Sequence, residues 1–291
     1  MKTILYATDY SKNSVAALKY AHKLAQQMGT RLIITHVFDY PSVLGAEMLS
    51  EPFPQLEKDA FKTHRAKLVQ FCEEHLSGNW ENSNLQLEVV ENKSVINGII
   101  SVAKESHAYL IVIGMKGGSG LREMIMGSTT KHLIKKGPCP ILSIPLDTSY
   151  MPFKTIVYAT DFEEEDVYAI RKLAEMAEQF DAEIKVVHIS TKKEYKGELQ
   201  MELFKGMLHE KVTYGKMDFE LLFSEDVFNS LRIYLGDTNA DLMVMLEREK
   251  GGFLTKWFHR DLVKKMESYG RIPLLSFREG NHQLFYTSAV L

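Results

Sequence analysis

LIVIGMKGGSGLREMIMGSTTKHLIKKGPCPILSIP, Leu110 to Pro145, opens with four consecutive apolar residues, Leu110-Ile111-Val112-Ile113. A run that short suits a strand buried on both faces. A glycine-rich loop follows, Gly114 to Gly120, then Gly127-Ser128-Thr129, a helical segment Thr129–Lys136 and a second apolar run, Ile141–Ile144. Strand, glycine loop, helix and strand is an order that can hold a phosphate by backbone. Glycine lets the chain approach closely and adopt positive φ. The first N–H groups of a helix lack intrahelical partners, and the helix dipole favours negative charge there. The plainer alternative is a tight turn, with Ser128 and Thr129 capping a helix and Lys116 and Arg122 as solvated loop cations.

The spacing narrows the choice. Gly114, Gly117, Gly127 and Ser128 read G-x2-G-x9-G-S. No Gly-Lys-Ser/Thr closes the loop, so it is not a Walker A loop. Its late position excludes the dinucleotide fingerprint, which belongs beside the first strand of its fold. The pattern resembles the ATP-binding branch of the universal stress protein family. That resemblance implies an adenine-nucleotide-binding regulatory protein. Gly114-Met115-Lys116-Gly117 and Gly127-Ser128-Thr129 would hold phosphates and ribose. Ala7-Thr8-Asp9, at the end of the first strand, would meet the nucleotide, and Val37 would meet adenine through its backbone. The implied cofactor is ATP or another adenine nucleotide with Mg2+, and Asp9 is the candidate to approach the metal. As a plain turn residue, Asp9 would only cap the first strand–helix loop.

The rest of the chain repeats itself. Lys2-Thr3-Ile4-Leu5-Tyr6-Ala7-Thr8-Asp9 returns as Lys154-Thr155-Ile156-Val157-Tyr158-Ala159-Thr160-Asp161, seven of eight identical at an offset of 152. His36-Val37 matches His188-Ile189 at the same offset, and Leu110–Ile113 matches Leu242–Met245 at 132. Two copies of one domain are expected, 1–147 and 153–277, with a tail at 278–291. Strands alternate with helices, which predicts α/β domains with open, mostly parallel, Rossmann-like sheets. Ligands in such sheets bind beyond the carboxyl ends of the strands, where Asp9, Val37 and Gly114 all fall. In the family the last strand pairs two domains. Ile141–Ile144 and its counterpart Leu274–Phe277 are therefore expected to join the copies as an intramolecular pseudo-dimer.

Local signals place the helices. Ser11 or Asn13 can cap a helix over Ser14–Met28 that Gly29 ends. Ser94 can cap Val95–Ser106, and Glu51–Leu76 reads as mostly helical, with Leu56, Phe61, Leu68, Phe71 and Cys72 as packing residues. The second copy keeps Asp161 but puts Leu246 and Glu249 where Gly114 and Gly117 stand, and Arg260 and Asp261 where Gly127 and Ser128 stand. Side chains there would block backbone approach, and Glu249 and Asp261 would repel phosphate. Arg248 and Arg260 offer a partial offset. One nucleotide per chain, in the first copy, is the expectation.

Composition bounds the rest. The 291 residues carry a formal charge of −3, which gives no broad basic field for nucleic acid. Cys72 and Cys139 have no metal-ligand spacing and read as reduced thiols. The opening MKTILYATDY is not a signal peptide, and no run approaches a membrane span, so a cytoplasmic protein is expected. A homodimer and a regulatory protein partner are compatible with the sequence. Two rival readings stand beside the binding module: a slow ATPase or phosphotransferase, for which no base is placed by motif, and a structural or dimerising module without ligand.

Overall fold

A computed structural model describes residues 1–40, 53–77, 84–117, 124–125, 127–191, 197–248 and 272–280. The first half builds β1 (Thr3–Ala7), α1 (Lys12–Met28), β2 (Arg31–Phe38), α2 (Phe53–His75), β3 (Leu85–Glu91), α3 (Val95–Glu105), β4 (Leu110–Gly114), the short β5 (Lys116–Gly117) and β6 (Met124–Ile125), α4 (Ser128–Lys136) and β7 (Ile141–Ile144). The second half repeats the order without counterparts of the hairpin and of α4 among the described residues. It comprises β8 (Thr155–Ala159), α5 (Glu164–Phe180), β9 (Glu183–Ser190), α6 (Gly197–Lys211), β10 (Met217–Phe223), α7 (Val227–Asp237), β11 (Leu242–Glu247) and β12 (Leu274–Arg278).

Ten strands form one sheet in the order β10-β9-β8-β11-β12-β7-β4-β1-β2-β3. Every pairing is parallel except the central one, where β12 and β7 run antiparallel with Leu275 opposite Leu142. The strand expected to join the copies does so. Each half leaves one open edge there, and pairing satisfies both rows of backbone groups. The order is palindromic, so the halves are related by an approximate two-fold axis at this junction. Within each strand, side chains alternate between faces. Ile4 and Tyr6 belong to the apolar cluster that includes residues of α1, α2, α5 and α6, whereas Leu5 belongs to the one that includes residues of α3, α4 and α7. Both faces are covered, which is why the strands read as unbroken apolar runs.

Local chemistry sets the helix ends. Ser11 is extended (φ −71°, ψ 165°) and accepts from the Ser14 N–H, so α1 begins at Lys12, two residues before the expected start. Gly29, at φ 60°, closes it. Ser94 caps α3 through the Asn97 N–H, as expected. The helix expected from Thr129 starts at Ser128, with Gly127 as its cap residue. The segment read wholly as loop, Gly114–Gly120, contains a strand, since Lys116 and Gly117 pair with Ile125 and Met124. Glu249, Arg260, Asp261 and the tail beyond Gly280 lie outside the described residues.

Candidate nucleotide site

The carboxyl ends of β1, β2 and β4 converge with the N-termini of α1 and α4 on one cavity of about 370 Å³. Ala7, Thr8, Asp9, Val37, Gly114, Gly127, Ser128 and Thr129 all line it, brought together from four segments. Met115 does not. Its side chain is 1% exposed in the core, and its N–H bonds to the Ile144 carbonyl at 2.8 Å. Gly117 is engaged in the β5–β6 pairing. The Lys116 side chain and Arg122 lie outside the described residues.

Gly114 is glycine for a reason visible only in three dimensions. A Cβ there would lie 2.6 Å from the Asn13 carbonyl oxygen and 2.7 Å from its carbon. The end of β4 thus presses on the first turn of α1, which brings the α1 N-terminus to the cavity. Gly127 has φ −60° and ψ 160°, and no side chain caps α4. Its first-turn N–H groups, which a helix cannot satisfy internally, open on the cavity.

The loop after β1 is held by hydrogen bonds from several directions. The Thr8 N–H bonds to the Thr35 carbonyl at 2.9 Å. The His36 Nδ1–H donates to the Thr8 carbonyl at 2.9 Å. Thr8 Oγ1 accepts from the Tyr10 N–H at 3.0 Å, and Tyr10 turns through φ 63°. Asp9 Oδ1 accepts from the Ser11 N–H at 3.0 Å and from Ser14 Oγ. Desolvation raises the Asp9 carboxyl, but the donors on Ser11 and Ser14 outweigh it and hold the group below its usual range. Asp9 is therefore both a turn residue and the one carboxylate lining the cavity among the described residues. The described residues hold no cluster of three or more His, Cys, Asp or Glu side chains suited to a metal.

The opposite wall is apolar. Val37, Ile99 and Ile113 belong to the core behind the cavity, and Val95, 50% exposed, lies at its mouth. Sequence reading placed Ile99 in the helix core, Asn13 as a candidate helix cap and Ile113 in a buried strand, and gave none of these, nor Ser14 or Val95, a place in the site. The signal available was positional: the first turn of a helix that follows a strand's carboxyl end faces the same crevice.

The second half keeps the turn and sets an ion-paired arginine beside it. Thr160, Phe162 (φ 61°) and His188 reproduce Thr8, Tyr10 and His36, with His188 Nδ1–H donating to the Thr160 carbonyl at 2.7 Å. Asp166 stands where Ser14 does and is fully buried. It accepts from Tyr158 OH at 2.8 Å, from Thr160 Oγ1 at 2.9 Å and from the Arg248 guanidinium at 2.8 Å. Arg248 also binds Asp161. The sequence offered Arg248 as a cation for phosphate; instead two internal carboxylates take it.

A family model described as the universal stress protein family matches residues 1–145 and 152–212. The chain belongs to the universal stress protein family. Universal stress protein MJ0577 of Methanocaldococcus jannaschii is 27% identical over 160 residues, covering 49% of this chain and 94% of that protein. Universal stress protein YxiE of Bacillus subtilis is 29% identical over 147 residues, covering 48% of this chain and 97% of its own. Each relative thus spans about one copy of the repeat. A universal stress protein from Archaeoglobus fulgidus shares the whole fold at a TM-score of 0.66 and 16% identity, covering 96% of this chain and 98% of that one. Among the described residues no helix is long and apolar enough to cross a membrane.

Proposed function

We propose that this universal stress protein is a regulatory module that binds one adenine nucleotide per chain, in the cavity of its first half. The observation that carries the proposal is the convergence of three strand ends and two helix N-termini, one of them uncapped, on a single cavity. The residues present fit such a ligand. The α4 N-terminus and Ser128 would take phosphate oxygens. The wall of Val37, Val95, Ile99 and Ile113 would take the base. Asp9, ionised below the usual carboxylate range, would face the ribose or an accompanying Mg2+. The cavity of about 370 Å³ falls within the range of small-molecule sites. The Asp161–Arg248–Asp166 cluster and the changed glycine positions argue for a single site per chain. We take the two domains as 1–147 and 153–277 and the compartment as the cytoplasm.

Calorimetric titration with Mg-ATP, beside a Gly127→Glu variant and with ADP assayed afterwards, tests this. Gly127 has a φ that any residue adopts, so the backbone admits a glutamate, whose carboxylate would stand at the α4 N-terminus; a far-ultraviolet spectrum and melt of the variant confirm that it is folded before binding is compared. Binding near one per chain, lost in the variant and without ADP, is the expected result. Steady ADP production would convert the module into an ATPase. No binding by folded protein free of copurified nucleotide would leave only the structural reading.

A further inference from the structure

The cavity of the first half holds a buried polar atom that the fold itself does not use. Thr35 lines the cavity and is fully buried, and its hydroxyl has no hydrogen-bond partner. Among the described residues it is the only buried side-chain oxygen or nitrogen of that lining without one. A buried hydroxyl left unpaired costs stability, so its presence calls for a reason. The turn after β1 does not supply it. The Thr35 carbonyl, not the hydroxyl, accepts from the Thr8 N–H.

The repeat isolates the hydroxyl. At the offset of 152 the counterpart of Thr35 is Val187, a side chain of the same shape with a methyl group in place of the hydroxyl. Val187 stands opposite Ala159 in the sheet register as Thr35 stands opposite Ala7. Its carbonyl accepts from the Thr160 N–H at 3.0 Å, as that of Thr35 accepts from Thr8 at 2.9 Å. Valine thus does all that the strand and the turn require. The hydroxyl stands in the half with the cavity, and valine in the half where Arg248 closes on Asp161 and Asp166.

Its place narrows what it can meet. Side chains alternate along β2, so Thr35 shares a sheet face with Ile33 and Val37, both in the apolar cluster behind the cavity. Val37, Ile99 and Ile113 make the apolar wall, whereas Gly127 and Ser128 stand at the α4 N-terminus. The hydroxyl therefore belongs to the apolar end, away from the anion-binding helix start. A purely apolar group there would leave it unpaired. A heteroaromatic base fills the same space and offers ring nitrogens that accept a hydrogen bond.

We propose that Thr35 is a specificity-determining residue whose O–H donates to a ring nitrogen of the nucleotide's base. This rests on the nucleotide reading above and says how that site recognises its base. The test titrates the full chain, Thr35→Val and Thr35→Ser with Mg-ATP and with its 1-deaza, 3-deaza and 7-deaza analogues, each of which replaces one ring nitrogen by C–H. With wild type, the analogue lacking the accepting nitrogen is expected to bind about tenfold more weakly than ATP, the scale of a buried polar group left unpaired. Thr35→Val is expected to bind ATP about tenfold more weakly and to treat that analogue like ATP, since one bond can be lost only once. Thr35→Ser, which keeps the hydroxyl, is expected to retain most of the affinity. Without ligand, Thr35→Val is expected to melt no lower than wild type, because it removes an unpaired buried polar group and adds none. Equal ATP affinity in wild type and Thr35→Val would overturn the inference and leave the nucleotide site standing. Analogue penalties that all persist in Thr35→Val, with the penalty of 2′-deoxy-ATP vanishing instead, would give the hydroxyl to the ribose and overturn the base assignment. A lower melting point of ligand-free Thr35→Val, with every analogue penalty unchanged, would make the hydroxyl structural and overturn it as well. No binding of Mg-ATP by wild type would overturn the nucleotide reading and this inference with it.

Discussion

At the scale of single residues, two positions decide how the halves differ. Gly114 has no room for a methyl group, because backbone rather than a movable side chain stands 2.6 Å from its Cβ position. Gly114→Ala is expected to cost about 1–3 kcal/mol, the usual penalty of overpacking, and to weaken Mg-ATP as α1 is pushed from β4. Urea unfolding and titration of the same sample check both. The glycine was legible in the sequence, but its immediate physical reason was not: contact with Asn13 is invisible in a motif that runs from Gly114 to Ser128. Arg248 is the second position. Its side chain is 12% exposed and binds Asp166, which is fully buried. Arg248→Met is expected to destabilise by about 3–5 kcal/mol, because it strands a buried charge, and Arg248→Met with Asp166→Asn to recover part of the loss. Equal destabilisation by the single and double variants in urea melts would show that the pairing contributes nothing.

At the scale of elements, the strand–helix turn Thr8–Ser11 is the unit both halves share. Its clamp is His36, tilted against Tyr10 with ring centroids 4.3 Å apart and stacked 5.4 Å from His64 of α2. Burial pushes His36 below its ordinary 6.5; the bond to Thr8 opposes this, while His64 and Lys67 add to it. His64, stacked 4.1 Å from Phe38, is lowered by burial and then by Lys67. Groups held neutral in the fold resist protonation, so their contribution is full above the unfolded value. It is lost as pH falls below about 6.5 towards the folded values. Asp9 moves the other way: its lowered carboxyl contributes above the unfolded carboxylate range and is lost only in strong acid. Thermal melts are therefore expected to weaken between about pH 7 and 5, before any carboxylate loss. His36→Gln, which keeps an N–H for the Thr8 carbonyl, should flatten that decline; an unchanged profile would remove His36 from the explanation. The sequence showed His36 and His188 as a repeat. It did not show that they hold a carbonyl, since that contact joins residues 28 positions apart.

At the scale of the whole molecule, the halves share one sheet and the apolar core on both of its faces. Leu142 and Ile144 pack in the same apolar cluster as Leu275 and Phe277. A continuous ladder and a common core couple the unfolding of the halves, so calorimetry is expected to show a single transition with equal calorimetric and van't Hoff enthalpies. Leu275→Ala, at a fully buried site on the junction, is expected to lower stability by about 2–5 kcal/mol and to shift that whole transition. A second, unshifted peak would mean that the halves unfold independently. If nucleotide binds the first half, saturating Mg-ATP should raise the same single transition, because a ligand of the native state stabilises whatever unfolds with it.

By itself the sequence determined the duplication, the family, the order of strands and helices, and the strand on which the copies meet. The duplication and most of the element order follow from local periodicity, cap chemistry and the identity of repeated residues, all of which act over short stretches of chain; the joining strand followed from the family resemblance carried by the glycine motif. It also named half of the residues that line the cavity, because the strand–glycine–helix pattern marks its own strand end. Only the tertiary structure decided that Met115 turns into the core, that Val95 and Ser14 complete the walls, and that Arg248 closes on Asp161 across 87 positions. Those outcomes depend on which strand lies beside which and in what register. That register is set by the packing of both sheet faces together, a sum over contacts that no single segment encodes.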